Sequence, residues 1–248
     1  MGNLFNTIIT IPLYNILVAL FVFVGDMGIA IILVTIFVRL LLIKQSVKAE
    51  KARLEMQKLQ PELEKIKKET GKNKEEQAKK MMELYQKKGV SPFSSCGATL
   101  IQMPFLIGLF IVFKEGLANG FPLYEPVKNI LGNTAVSSTS FGILDLTAIP
   151  NSGWFLILPV LAAFLQFVQA KMMTAKAAKS NQTKMTTLLL PGITLIFTMS
   201  LPSALSLYWI TTTLFAIVQQ FVIDKTELKK EFKEAEVVVE KLAKKENK

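Results

Sequence analysis

Arg39 lies in LVTIFVRLLLIKQ, residues 33–45, an apolar run with Phe37 and Val38 before it and four aliphatic residues after it. A guanidinium at such a position has two readings. Four residues of helix are about 6 Å, so the side chain can snorkel from the end of a membrane span to the headgroups. Alternatively it lines a polar cavity inside a helix bundle, where intramembrane charge usually resides. Neither Asp nor Glu occurs within any candidate span, which leaves no internal ion-pair partner in those segments. Other chemistry is short of parts. With no histidine, His-based acid–base or triad catalysis is excluded. The single cysteine, Cys96, forms no intrachain disulfide, and no metal-ligand spacing is present. The GKNK and GNT segments lack the glycine spacing of a phosphate loop. No enzyme activity and no cofactor or metal is expected.

The elements that must position Arg39 follow from hydropathy and charge. Of 248 residues, 51% are hydrophobic, gathered mostly into runs near the lower length limit of a membrane span. The fold class is therefore all-α, a polytopic membrane protein with a five-helix transmembrane bundle and a two-helix hairpin outside it. The expected spans are 28–43, 98–113, 154–168, 186–201 and 204–223, within a core of 25–223. Residues 1–24 carry Asn3, Asn6, Thr7, Thr10 and Asn15 and are broken by Pro12, which suits an interfacial amphipathic helix better than a full span. Residues 44–90 form a charged helical hairpin, interrupted at Pro61 and turning at GKNK. Residues 114–153 form a loop rich in Gly, Pro, Ser and Asn, and 224–248 form a basic, helix-prone tail.

Lysine and arginine number 29, and 26 of them fall in 44–90, 171–184 and 224–248. Five spans put all three segments on one side, opposite a loop with only Lys114 and Lys128. The positive-inside rule makes the lysine-rich side cytoplasmic and the 114–153 loop extracytoplasmic. A net charge of +10 is thereby a topological signal, and no nucleic-acid recognition is implied. Within the spans, Gln102, Gln166, Gln169, Gln219 and Gln220 can hydrogen-bond between helices. Trp209 and Tyr208 suit an interfacial aromatic belt. Hydroxyls at Thr187, Thr194, Thr198, Ser200, Ser206 and Thr211 to Thr213 favour a bundle with a wet interior.

Several ordered stretches carry a family resemblance: PLYNILVAL (12–20), GIAIILVTIFVRLLL (28–42), LQPELEKIK (59–67), MMELYQKKGVSPFSSC (81–96), LIQMPFLIGLF (100–110) and LPSALSLYWITTTLFAIVQQ (201–220). The chain resembles the YidC family of membrane protein insertases, related to the oxidase-assembly and albino-type proteins, over about residues 8 to 223. In two places it departs from the family pattern: SSCGAT at 94–99 lacks the usual proline after the cysteine, and Ala204 and Ser206 replace common glycine and alanine. The lack of a large domain ahead of the core resembles the short bacterial forms.

The resemblance implies a hydrophilic groove, open to the cytoplasm and the lipid and closed on the outside. Arg39 matches the groove arginine. Gln102, the third-span glutamine Gln166 (with Gln169 three residues on) and Trp209 match further groove positions. The implied partners are nascent membrane proteins and the lipid bilayer, with the ribosome and the Sec translocon as candidates and a monomer as the working unit. The implied location is the bacterial cytoplasmic membrane, with Sec-independent insertion among the implied activities. Two rivals from other classes stand beside this: a transporter or channel, disfavoured by the lack of repeats and of intramembrane carboxylates, and an assembly scaffold acting through the hairpin.

Overall fold

The computed structural model describes the backbone of residues 2–71, 73–91, 94–150, 153–174 and 185–246. Side chains within these are described except at 2–3, 94–101, 118, 154, 186 and 227–246. The lysine-bearing connection at 175–184 lies outside the described residues.

The first helix, α1 (Asn6–Val24), opens on a π-helical turn and ends at Gly25 in the left-handed conformation. Asp26 then starts α2 (Met27–Leu41), its carboxylate accepting from the Ile29 amide at 3.0 Å as an N-cap. After one non-helical residue, Leu42, the chain turns by 67° into α3 (Ile43–Lys58). A second break at Leu59 leads into α4 (Gln60–Thr70), with Pro61 in its first turn, where a missing N–H costs nothing. Gly71 and the N-cap Asn73 turn the chain into α5 (Lys74–Lys88). Helix α6 (Ser94–Ile111) contains Pro104 and runs into a π-helical turn at Val112–Gly116. The loop that follows holds a short α7 (Glu125–Leu131) and a two-stranded ribbon, β1 (Thr139–Ser140) antiparallel to β2 (Leu144–Asp145). Then come α8 (Ile157–Thr174), α9 (Leu190–Met199) and α10 (Ser203–Glu246).

Each of the five stretches expected to span is helical, as α2, α6, α8, α9 and the first half of α10. Asn6–Val24, Ile157–Thr174 and Ser203–Thr226 are each long and apolar enough to cross a membrane. The α2–α3 pair passes the same test as one bent unit, and Thr187–Met199 is a shorter apolar helix. On α8, α9 and α10 large apolar side chains face outward, among them Phe164, Ile196 and Val218, which are 58%, 70% and 63% exposed. Such a surface fits hydrocarbon and not water. The chain is an all-α, multi-pass membrane protein.

Two features depart from a simple reading of the sequence. The segment after the first span, rich in helix formers, suggests one helix running straight on; instead it bends at Leu42. Neither Pro nor Gly lies at that point, so the bend has no local cause. It is held by long-range bonds from α3, described below. Consequently the antiparallel hairpin consists of α4 and α5 alone. Its seam includes Leu63, Ile66, Met81, Leu84 and Tyr85, all at least half-buried, and Lys88 Nζ meets Glu62 at 2.8 Å.

Packing is densest at the end bearing the 114–153 loop. Leu17, Val18, Met27, Ile31, Val112, Phe113, Leu146 and Leu205 are almost wholly buried in one cluster. The Asp26 carboxylate ties the ribbon to α2: Ser140 Oγ donates to it at 2.6 Å, and the Phe141 amide does so at 2.6 Å. Phe141 has φ 51°, an unfavourable value for a non-glycine residue, compensated by that bond. Gly28 lies against the same serine, its amide donating to Ser140 Oγ at 3.1 Å; a Cβ there would come within 2.0 Å of that oxygen. The start of α10 is held by Ser203 N and Oγ, both donating to Ala148 O at 2.9 Å.

Burial raises the Asp26 pKa, but the bonds from Ser140, Phe141, Ile29 and Gly28 outweigh it and hold the carboxyl below its ordinary value. A depressed carboxyl contributes stability that is present above the unfolded pKa, near 3.9, and lost as pH falls through the folded value. Asp26→Ala is expected to cost about 1–2 kcal/mol, as for loss of a cap, read by thermal unfolding in detergent. Asp26→Asn is expected to lose less stability than the native protein on acidification below about pH 4; equal slopes would show that Asp26 does not carry this pH dependence.

Candidate functional site

At the opposite, lysine-rich end the bundle is open. A cavity of about 310 Å³ lies between α2, α3, α6, α8 and α10. Arg39 projects into it from the last turn of α2, one turn before the bend. Its neighbours across the cavity are Gln102 of α6, Gln169 of α8 and Gln219 and Gln220 of α10. The remaining wall belongs to α3, with Gln45, Ser46, Ala49, Glu50 and Arg53. These residues sit four, or three and four, apart, which places them on one helical face.

The bend at Leu42 brings α3 across the mouth, and polar contacts hold it there. Ser46 and Gln219 bond side chain to side chain, at 3.0 Å for Ser46 Oγ to Gln219 Oε1 and 2.8 Å for Gln219 Nε2 to Ser46 Oγ. Arg53 Nη1 donates to the Met173 carbonyl at 2.8 Å, and Gln57 Nε2 donates to the same oxygen. That carbonyl lies in the last turn of α8, where main-chain acceptors have no helical partner. Glu50 forms an ion pair with Arg53 on the same helix.

Arg39 has no such arrangement. Its Nε is buried and without a hydrogen-bond partner among the described residues. The same holds for Gln220 Nε2, in a residue only 2% exposed, and for Asp224 Oδ1, one turn further along α10. A buried donor without a partner carries its full desolvation cost, about 1–3 kcal/mol and more for charged groups.

Of the five candidate site residues, Arg39, Gln102 and Gln169 line the cavity. Gln102 Nε2 donates to Tyr208 Oη at 2.9 Å, joining α6 to α10. Gln166 and Trp209 do not line it; they face each other between α8 and α10, Trp209 Nε1 donating to Gln166 Oε1 at 3.4 Å. Trp209 also packs edge-on against Phe197 of α9, with ring centroids 5.8 Å apart. The α3 wall escaped sequence reasoning because its residues follow the last apolar position and resemble any solvated helix. Among the described residues, the carboxylate of Glu50 is the one acid lining the cavity, and it arrives from outside the expected spans. Among the described residues no three His, Cys, Asp or Glu side chains gather as metal ligands.

The site is thus a polar cavity at one end of an apolar helical bundle, lined by five glutamines, Arg39 and the Glu50–Arg53 pair, with the buried apolar cluster at the other end. Fold and site together are those of a multi-pass membrane protein with a polar cavity among its helices. A family model described as 60Kd inner membrane protein matches residues 19–231, and the chain belongs to that family. It is 35% identical over 208 residues to membrane protein insertase MisCA of Bacillus subtilis, covering 82% of this chain and 72% of that one. To membrane protein insertase YidC of Fusobacterium nucleatum it is 34% identical over 203 residues, covering 82% and 88%. The fold is similar to the crystal structure of an active YidC insertase with its first transmembrane domain resolved. There the TM-score is 0.53 at 25% identity, over 81% of this chain and 42% of that chain.

If the two bonds on the Met173 carbonyl fix α3, releasing one should loosen that helix alone. Arg53→Ala is expected to speed amide hydrogen exchange in residues 43–58 about tenfold, the equivalent of one charged hydrogen bond. Exchange in Met27–Val38 should be unchanged; equal acceleration there would indicate general destabilisation instead.

Proposed function

We propose that this chain inserts membrane proteins by receiving a polar, translocating segment in the Arg39 cavity while the apolar segment leaves sideways into lipid. Insertase activity is what its family and relatives carry, and one observation supports this site as its seat. Arg39, in an otherwise apolar helix, has a buried Nε with no hydrogen-bond partner among the described residues, so an acceptor entering the cavity would satisfy it.

In this reading α2, α6, α8, α9 and the first half of α10 are the five spans. The lysine-rich end faces the cytoplasm of a bacterium, by the positive-inside rule, and the sealed loop end faces out. Helix α1 lies in the outer interface. Support comes from Asn15, halfway along it, whose side chain donates to Pro122 O at 3.0 Å and accepts from Tyr124 N at 2.7 Å in the outer loop. A crossing helix would put Asn15 about 15 Å below that surface.

The cavity hydrates a segment part-way across, so less of its path is dry. Arg39 gives an acidic segment a transient counter-charge. Both the apolar transfer of the following helix and a membrane potential positive outside, about 2.3 kcal/mol per charge per 100 mV, favour completion. No nucleotide enters this scheme. Hairpin α4–α5 and the basic tail offer the cytoplasmic surface for a ribosome, a single copy contains the whole cavity, and nothing in the cavity requires a Sec translocon.

The test is insertion of a single-span protein with an acidic translocated segment, in cells depleted of their own insertase. Arg39→Ala is expected to lower insertion at least tenfold, the worth of one buried charge-assisted bond, with Arg39→Lys in between. Full insertion by Arg39→Ala would show that the charge is not the working group. Loss of complex assembly on deleting 66–78, with insertion intact, would favour a scaffold.

A further inference from the structure

The cavity wall is not the wall a carboxylate alone would select. A carboxylate accepts and does not donate, so its ideal surround consists of donors. Here five of the lining residues are glutamines, at 45, 102, 169, 219 and 220. Each presents a carbonyl as well as an NH₂. The Glu50 carboxylate lines the same space and would repel an acid, and its pairing with Arg53 cancels the second cation. What these glutamines do match is the peptide unit, which carries one acceptor and one donor of the same amide chemistry.

We propose that the cavity recognises the main chain of an extended, uncharged polar segment, with Gln220 donating to a backbone carbonyl of the passing chain. This rests on the insertase reading above and extends its substrate class: an acidic residue adds a preference through Arg39 but is not required. Gln220 is the residue singled out because its Nε2 is buried without a partner, within a side chain 2% exposed that lines the cavity. The other glutamines of known bonding, Gln102 and Gln219, already donate to Tyr208 and Ser46. An extended chain arrives with every amide unsatisfied, and apolar surroundings penalise each one. A row of side-chain amides replaces the water those groups lose, whatever the side chains are. Recognition of this kind tolerates varied sequences, which a single arginine does not.

The experiment uses the full-length protein in liposomes and two single-span probes, one with a translocated segment of Ser, Asn and Gly, the other with two of those residues replaced by Asp. Native protein is expected to insert both. Arg39→Gln is expected to lower the acidic probe several-fold more than the neutral one. Gln220→Met, which keeps the side chain's length and apolar fit, is expected to lower both probes about fivefold, the equivalent of one hydrogen bond. Gln45→Met, at an exposed position that folding does not depend on, is expected to lower the neutral probe as well. A neutral probe carrying ester in place of amide links, whose carbonyls accept more weakly, is expected to insert less well by native protein. In Gln220→Met that ester effect should be smaller, because one of the paired amides is gone; a merely structural glutamine would leave the ester effect unchanged.

Insertion of the acidic probe but not the neutral one overturns the proposal and leaves the insertase reading standing. So does an ester effect of equal size in both proteins. Failure of native protein to insert either probe overturns the insertase reading itself.

Discussion

A guanidinium whose buried Nε finds no hydrogen-bond partner among the described residues is the constraint around which the bundle is arranged. Placing Arg at the centre of a membrane helix costs about 2.5–3.5 kcal/mol, less toward the end. The molecule neither neutralises Arg39 nor lets it reach the surface freely. It surrounds the guanidinium with amides from α6, α8 and α10 and closes the space with α3. Those neighbours soften the local dielectric without satisfying Nε. The unmet bond is therefore a stored preference for an incoming acceptor.

Holding that cavity open requires rigidity elsewhere, and the packing supplies it at one end only. There α1, the 112–146 loop and the starts of α2 and α10 share one apolar cluster. The Asp26–Ser140–Gly28 contacts and the bonds from Ser203 to Ala148 join the loop to two helices. At the other end the described side-chain bonds that hold α3 are polar: Ser46 with Gln219, and Arg53 and Gln57 on one carbonyl. A sealed end of buried apolar surface and an open end of hydrogen bonds give the bundle a direction.

Much of this was legible in the residues. Each of the five apolar runs falls on a helix, because runs flanked by lysine leave few alternatives, although α8 and α10 continue past the expected ends, to Thr174 and Glu246. Arg39 stands out because no acid shares its span; the polarity of Gln102 and Gln169 suggested bonds between helices, and their place at a groove was implied only by the family resemblance. The α3 wall was not legible. Gln45, Ser46, Glu50 and Arg53 belong to a cavity only because the chain bends at Leu42, and that bend is a tertiary effect with no glycine or proline to announce it. Gln166 carried the same polarity signal as Gln169, and Trp209 that of an interfacial belt; the rotation of their helices turned the two toward each other and not toward the cavity. The lock at Asp26 likewise depends on a ribbon more than 100 residues away in sequence.

The bend has one more consequence. Helix α3 is about 24 Å long at 1.5 Å per residue, anchored at Leu42 and joined at Leu59 to the hairpin α4–α5. Its bonds to the bundle are spaced along that length, Ser46 near the bend and Arg53 and Gln57 near the far end. A tilt of about 10° about Leu42 would displace the far end by about 4 Å on that length, so the two outer bonds must break before α3 can swing, whereas the bond at Ser46 need not. The carbonyl of Met173 is thus the latch that sets the position of the cavity's α3 wall.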